Sequence, residues 1–251
     1  MGSIRIDQRG AAAYVALARP PLNVLDLPAI RSLHEALAGL TGRRDVKAVV
    51  LRSAVDGVFS AGVDVAAHAP ERAAEMLRAT HDVFRLLDTL PQATLAAVDG
   101  LCLGGGCEMA VACDVVVATA RSRFGQPEID VGCLPPVASV LLPRLVGRMA
   151  YELILEGTPI AAVEAARIGL VNRVVDDVER EAALWAERIG GKSAAVIALA
   201  RRAARRGWHG PFAEALADVE AIYLKDLLPT HDAAEGVRAF LEKRKPRWKD
   251  A

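Results

Sequence analysis

Residues 94–128, TLAAVDGLCLGGGCEMAVACDVVVATARSRFGQPE, constrain the fold more than any other stretch. The pattern predicts an apolar strand over 94–98 and a turn at Asp99-Gly100. Three glycines, Gly104, Gly105 and Gly106, then run into a helix holding Glu108. A second apolar strand follows over 114–119, and a Phe-Gly-Gln-Pro turn presents Glu128. Two carboxylates, each beside glycine or proline punctuation, point to a site built from loop ends on a rigid scaffold.

The flanking sequence supports a sheet with helical crossovers. Residues 3–8 and 12–17 read as a hairpin around Gln8-Arg9-Gly10, and Pro20-Pro21 stops regular structure. Ile30, Leu33, Leu37 and Leu40 mark a helical stripe within 27–40. KAVVLR, 47–52, is a nearly continuous apolar run, as in a parallel strand buried on both faces. Residues 53–64 read as a loop and 71–90 as a helix stopped by Pro91. Such alternation implies right-handed βαβ units and, from the residues alone, an open doubly wound sheet. Beyond Pro135 helices are predicted over 137–146, 148–156, 163–168, 178–189, 193–206, 212–228 and 232–245, with one strand over 171–175. Asp177, Ser193 and Asp232 are the expected caps.

Composition narrows the function. The 251 residues are 53% hydrophobic, enough for one large domain with a proper core or a domain plus a helical appendage. Thirty-one basic residues balance thirty-one acidic ones, which gives no global attraction to nucleic acid or anionic membrane. No apolar run reaches the roughly 18 to 20 residues of a spanning helix. The opening MGSIRIDQRG has no apolar signal core, so a cytoplasmic location is expected. Cys102, Cys107, Cys113 and Cys133 lack metal spacing and read as small buried apolar residues. No metal and no cofactor is expected.

The glycine run is neither G-x-G-x-x-G nor a P-loop. It reads either as tight strand–helix packing or as backbone freed to aim N–H groups at a ligand. A second turn, Ala61-Gly62-Val63, offers another amide. Two converging amides form an oxyanion hole, each donor contributing roughly 3 to 4 kcal/mol in the transition state. Glu108 alone is a plausible helix-terminus carboxylate and Glu128 alone an ordinary turn residue. Together they suggest an acid and a base with separated pKa values. Arg201, Arg202, Arg205 and Arg206 read as a solvated helix face, with a phosphate-bearing partner as the alternative. The closing FLEKRKPRWKD reads as a frayed basic terminus.

The whole chain resembles the crotonase superfamily, specifically the enoyl-CoA hydratases. The resemblance is carried by Arg19-Pro20-Pro21-Leu22-Asn23-Val24, FSAGVD, AAVDGLCLGGGCEMAVACDVV, FGQPEI, LPRLVGR, AARIGLVNRVV and AFLEKRK. It implies an α/β crotonase spiral of stacked ββα units in two sheets, with a core over 1–190 and a helical trimerisation region over 191–251. It also implies an acyl-CoA substrate, with coenzyme A as part of that substrate, and a homotrimer or a hexamer of paired trimers. The amides of Val63 and Gly105 would hold the thioester carbonyl. Glu108 would act as base toward water, and Glu128 would protonate the α-carbon. Leu22, Ala61 and Asp64 match substrate-binding positions. Phe240 and Lys243 match residues that reach the adenine end from a neighbouring subunit.

Three departures bear on these expectations. Pro136 stands where hydratases carry a glycine whose amide helps place water, and proline has no N–H. Pro20 replaces a phosphate-contacting lysine, which Arg19 could replace in turn; Val65-Ala66-Ala67 replaces another lysine. The segment GCLPPVA, 132–138, resembles hydratases of cyclic dienoyl-CoA thioesters. Rival readings are a double-bond isomerase using Glu128 alone, and an RNA-binding protein on the same scaffold, which zero net charge disfavours.

Overall fold

A computed structural model describes residues 2–251, the side chain of His209 excepted. The chain opens with β1 (Ile4–Arg9) and β2 (Ala12–Leu17), then α1 (Leu27–Ala38), β3 (Ala48–Ser53), β4 (Val58–Ser60) and α2 (Pro70–Thr89). Next come β5 (Ala93–Val98), β6 (Leu101–Leu103), α3 (Gly105–Ala112), β7 (Val115–Thr119) and β8 (Arg123–Gly125). Then follow α4 (Ala138–Val146), α5 (Met149–Leu155), β9 (Ile160–Ala161), α6 (Ala162–Arg167), β10 (Arg173–Val175) and α7 (Val178–Gly190). α8 (Ala194–His209), α9 (Phe212–Ala221) and α10 (His231–Leu241) complete it.

The strands form two sheets, and the open doubly wound arrangement is not what the chain adopts. The larger sheet runs β1-β2-β3-β5-β7-β10 and the smaller runs β4-β6-β8-β9. In the larger sheet only β1 and β2 pair antiparallel. A long strand is followed by a short strand in the other sheet and then a helix, three times over: β3-β4-α2, β5-β6-α3 and β7-β8-α4. These are stacked ββα turns, the crotonase spiral.

Corners make the spiral possible. Gly100 has φ +84°, and a Cβ there would lie 1.8 Å from the Gly57 carbonyl oxygen, so only glycine fits. That carbonyl accepts from Leu101 N at 3.0 Å, while the Gly100 carbonyl accepts from Arg123 N at 3.1 Å. Each corner therefore stacks on the next. On the outside Arg121 bonds Asp99 of one corner and Asp56 of another.

Burial explains the apolar runs. Val49 and Leu51 of β3 face the main core, which also holds residues of α1, α2 and α3. Ala48 and Val50 face a second cluster closed by Val178, Ala182, Trp185 and Ala186 of α7. Both faces of the larger sheet are thus covered, as KAVVLR predicts.

The C-terminal part departs from the sequence reading in four places. Arg201 is buried: its Nε donates to Asp114 Oδ2 at 2.7 Å, and Nη1 donates to Asp88 O at 2.8 Å. Arg205 Nη2 donates to Ala112 O at 2.8 Å. Two members of the basic run therefore satisfy the carbonyl ends of α2 and α3, where a cation is favoured. Arg202 and Arg206 pair with Asp226 and Asp218, so the run is not an unengaged solvated face. The terminus is not frayed either. Asp232, 1% exposed, accepts from Lys249 N and Asp250 N, both at 2.8 Å, and Trp248 Nε1 donates to Gly191 O at 3.0 Å. Asp232 is thereby taken up by the tail, and Thr230 caps α10 instead. The helix expected over 212–228 stops at Ala221 and continues as a π-helical segment, Ile222–Leu227. Cys102, Cys107 and Cys113 are buried, burial pushing the Cys113 thiol up to about 12, whereas Cys133 is half-buried.

Candidate active site

A cavity of about 220 Å³ opens where the first residues of α3 meet the loop after β4, the turn after β8 and one side of α2. Its walls include Ala61, Val63, Gly105, Glu108, Glu128 and Pro136, residues drawn from three separated segments.

The amides come first. Leu25 N donates to Gly62 O at 2.8 Å and Leu25 O accepts from Asp64 N at 3.0 Å. This single parallel bridge uses the groups either side of Val63 and turns the Val63 N–H away from Leu25. Gly105 opens α3, where an N–H has no partner one turn back. Neither amide donates a hydrogen bond among the described residues. A Cβ built on Gly105 would stand 3.5 Å from Val63 N and 3.0 Å from Val63 Cγ2, so the two turns are in contact.

Glu108 lies one turn into α3 and is 4% exposed. Its Oε1 accepts from Val137 N at 2.9 Å and Ala138 N at 2.8 Å, the opening amides of α4. Burial pushes its pKa up to about 7, and the charge of Glu128 adds to the rise. The Ala138 and Val137 amides oppose it. Pro136 contributes its ring to the wall and no N–H, while the two amides that follow it are occupied by Glu108.

Glu128 sits in a 3-10 turn, Pro127–Val131, against Gly104. Gly104 has φ +52°, and a Cβ there would be 2.8 Å from Glu128 Oε1, so its bareness makes room for the carboxylate. Glu128 Oε2 is buried with no partner among the described residues. Burial raises the Glu128 pKa, while its own backbone N–H and the nearby His68 lower it. An unpaired buried oxygen favours the protonated acid; an oxygen holding two amides favours the carboxylate. Burial nevertheless raises the pKa of both groups, and at Glu108 it outweighs the two amides.

Other sequence-derived candidates are placed differently. Leu22 is 40% exposed and meets the site through its carbonyl, which accepts from Ala61 N at 2.9 Å. Asp64 Oδ1 accepts from Ala66 N at 3.0 Å and so caps the 3-10 turn Val65–His68. Arg19 donates to Val24 O and pairs with Asp26, which ties its guanidinium down. Phe240, 82% exposed, stands at the end of α10 and Lys243 just beyond it, and neither lines the cavity.

The sequence reading did not single out Thr80 and His81. His68, Thr80 and His81 also face the cavity, beside Met76 and Leu77. Thr80 and His81 follow Met76 and Leu77 by four positions in α2. Their interruption of that helix's apolar stripe was the available signal.

Stacked ββα turns enclosing a carboxylate pair beside two unengaged amides define a crotonase-fold protein. The chain belongs to the enoyl-CoA hydratase/isomerase family, whose model matches residues 7–251. It is 38% identical over 247 residues to cyclohexa-1,5-dienecarbonyl-CoA hydratase of Thauera aromatica, covering 98% of this chain and 95% of that one. It is 34% identical over 253 residues to short-chain-enoyl-CoA hydratase of Clostridium acetobutylicum, with coverage of 98% and 97%. Among solved structures, Pseudomonas aeruginosa DspI superposes with a TM-score of 0.94 at 31% identity, covering 99% of this chain and 97% of that one. Enoyl-CoA hydratase from Bacillus anthracis gives 0.91 at 30% identity, with coverage of 99% and 100%.

Proposed function

We propose that the protein is an enoyl-CoA hydratase, adding water across the α,β double bond of an acyl-CoA thioester. The observation that carries the reading is the meeting of Glu108, Glu128 and the unengaged amides of Val63 and Gly105 on one cavity. In this scheme the thioester oxygen accepts from the two amides, which hold the negative charge that develops as water attacks the β-carbon. Glu108, its Oε1 fixed by two N–H groups, takes the proton of that water. Glu128 delivers a proton to the α-carbon. Bond by bond, the water oxygen joins the β-carbon, the carbon–carbon π bond breaks, and one hydrogen arrives at each end. Proton exchange between the two acids then restores the starting state.

Coenzyme A enters as part of the substrate. Phe240 and Lys243 are assigned to its adenine end from a neighbouring copy in a trimer, because within one chain they lie off the cavity. Ala61 is assigned to the acyl-CoA through its place on the wall, and Leu22 and Asp64 through the backbone they anchor.

The test is hydration of crotonyl-CoA by the purified protein, followed by loss of enoyl-thioester absorbance. Turnover that falls roughly 10² to 10⁴-fold in both Glu108→Gln and Glu128→Gln supports the scheme. Retention of double-bond migration in Glu108→Gln would replace it with the isomerase reading. A cyclic acyl group is favoured by one further observation: Pro136, half of the Pro135-Pro136 pair, forms part of the wall. The Thauera aromatica relative agrees with this. Faster turnover of crotonyl-CoA than of cyclohexa-1,5-diene-1-carbonyl-CoA removes that refinement.

A further inference from the structure

We propose that the acyl cavity is built for an acyl group carrying an uncharged hydrogen-bonding substituent, a hydroxyl or an oxo group, seated against Thr80 and His81. The inference rests on the reading above only in taking the cavity to hold an acyl thioester. It adds the substrate class.

Thr80 Oγ1 is buried and has no hydrogen-bond partner among the described residues. A helical threonine ordinarily bonds a carbonyl one turn back, and Thr89 of the same helix does so, to Arg85 O at 2.9 Å. Thr80 does not. On its inner side lies a small apolar void walled by Leu25, Ile30, Leu33, Val83, Phe84 and Met109, which offers no polar side chain. On its other side Thr80 lines the cavity. An unpaired buried hydroxyl is destabilising, and a ligand atom that bonds it removes the penalty.

His81 is the adjacent residue, lines the same cavity, and makes no hydrogen bond among the described residues. Burial lowers its pKa, which favours the neutral ring with one donor and one acceptor nitrogen. Thr80 and His81 together therefore bring donors and acceptors of both kinds to one wall of the cavity. That suits a hydroxyl or a carbonyl. A carboxylate substituent fits poorly, because Glu108, Glu128 and Asp130 already line the cavity. A plain hydrocarbon tail would leave both polar groups unsatisfied, the situation in which sites discriminate most sharply.

Binding is measured by calorimetry with saturated thioesters, which cannot be hydrated: hexanoyl-CoA against 4-, 5- and 6-hydroxyhexanoyl-CoA and 5-oxohexanoyl-CoA. At least one substituted ligand is expected to bind about tenfold tighter than hexanoyl-CoA. Thr80→Val is isosteric, and is expected to weaken that ligand about tenfold while tightening hexanoyl-CoA. His81→Leu is expected to erase the same preference independently. Equal or weaker binding of every substituted ligand by the wild-type protein overturns the proposal. A preference that persists in both variants also overturns it. A preference seen in a protein that hydrates no enoyl-CoA leaves this inference standing and removes the hydratase reading.

Discussion

Glu108→Gln separates the electrostatic reading of the site from simple loss of activity. Glutamine keeps the oxygen that accepts from Val137 and Ala138 but cannot ionise. In the folded protein burial raises the Glu108 pKa from 4.5 to about 7. A carboxyl whose folded pKa is raised contributes its stability fully below the unfolded value and loses it as pH rises through the folded one. The loss is RT ln[(1 + 10^(pH−4.5))/(1 + 10^(pH−7))] for the pKa values of this group. It amounts to about 1 kcal/mol at pH 5 and about 3 kcal/mol at pH 8. Wild-type protein should therefore weaken relative to Glu108→Gln by about 2 kcal/mol across that interval, a relative shift of about 4 to 8 °C in melting temperature. Thermal melts of both proteins at half-unit steps from pH 5 to pH 8 measure it, and the difference between them cancels the titrating groups that do not feel Glu108, leaving Glu108 and its coupling to Glu128. A difference that stays flat with pH, or shrinks as pH rises, refutes the claim that burial dominates the two amides at this carboxyl.

Three further substitutions probe the scaffold. Gly104→Ala places a methyl 2.8 Å from Glu128 Oε1 on a residue with φ +52°. Turnover is expected to fall on the order of 10²-fold through displacement of the acid, with a stability loss of roughly 1–2 kcal/mol, read by steady-state kinetics and urea melts. Arg201→Ala strands the Leu87, Asp88 and Leu90 carbonyls at the end of α2, while Asp114 keeps Arg205 and Thr94 N, and is expected to lower stability by roughly 1–3 kcal/mol in urea unfolding. Arg202→Ala breaks an exposed pair with Asp226 and should change it by no more than about 1 kcal/mol. Equal effects of the two arginines would contradict the buried clamp.

The larger sheet was legible because KAVVLR and the runs at 94–98 and 114–119 are long and apolar enough to declare strands. The smaller sheet was not. Val58–Ser60, Leu101–Leu103 and Arg123–Gly125 are three residues each, shorter than any alternation can register, and each is fixed by stacking on its neighbour. They therefore looked like loops and turns. α3 showed no stripe because all eight of its residues are buried, so its helicity had to be inferred from the glycines before it. Glu108, Glu128, Val63 and Gly105 were visible through their flanking turns. Val137 and Ala138 were not, since a backbone donor leaves no mark in side-chain pattern. The four arginines misled because helical spacing reports which residues share a side of a helix, not what that side meets.

A helix buried along its whole length has a practical consequence. α3 aims its first amide with the whole interior behind it, whereas the opposite wall belongs to α2 and a short turn near the surface. In the proposed scheme the part that grips the thioester and the part that meets the acyl group thus stand on different elements. Remodelling at Val65, Leu77 or His81 can retune what is accepted while the grip stays as it is, so new selectivities on this framework should be sought there first.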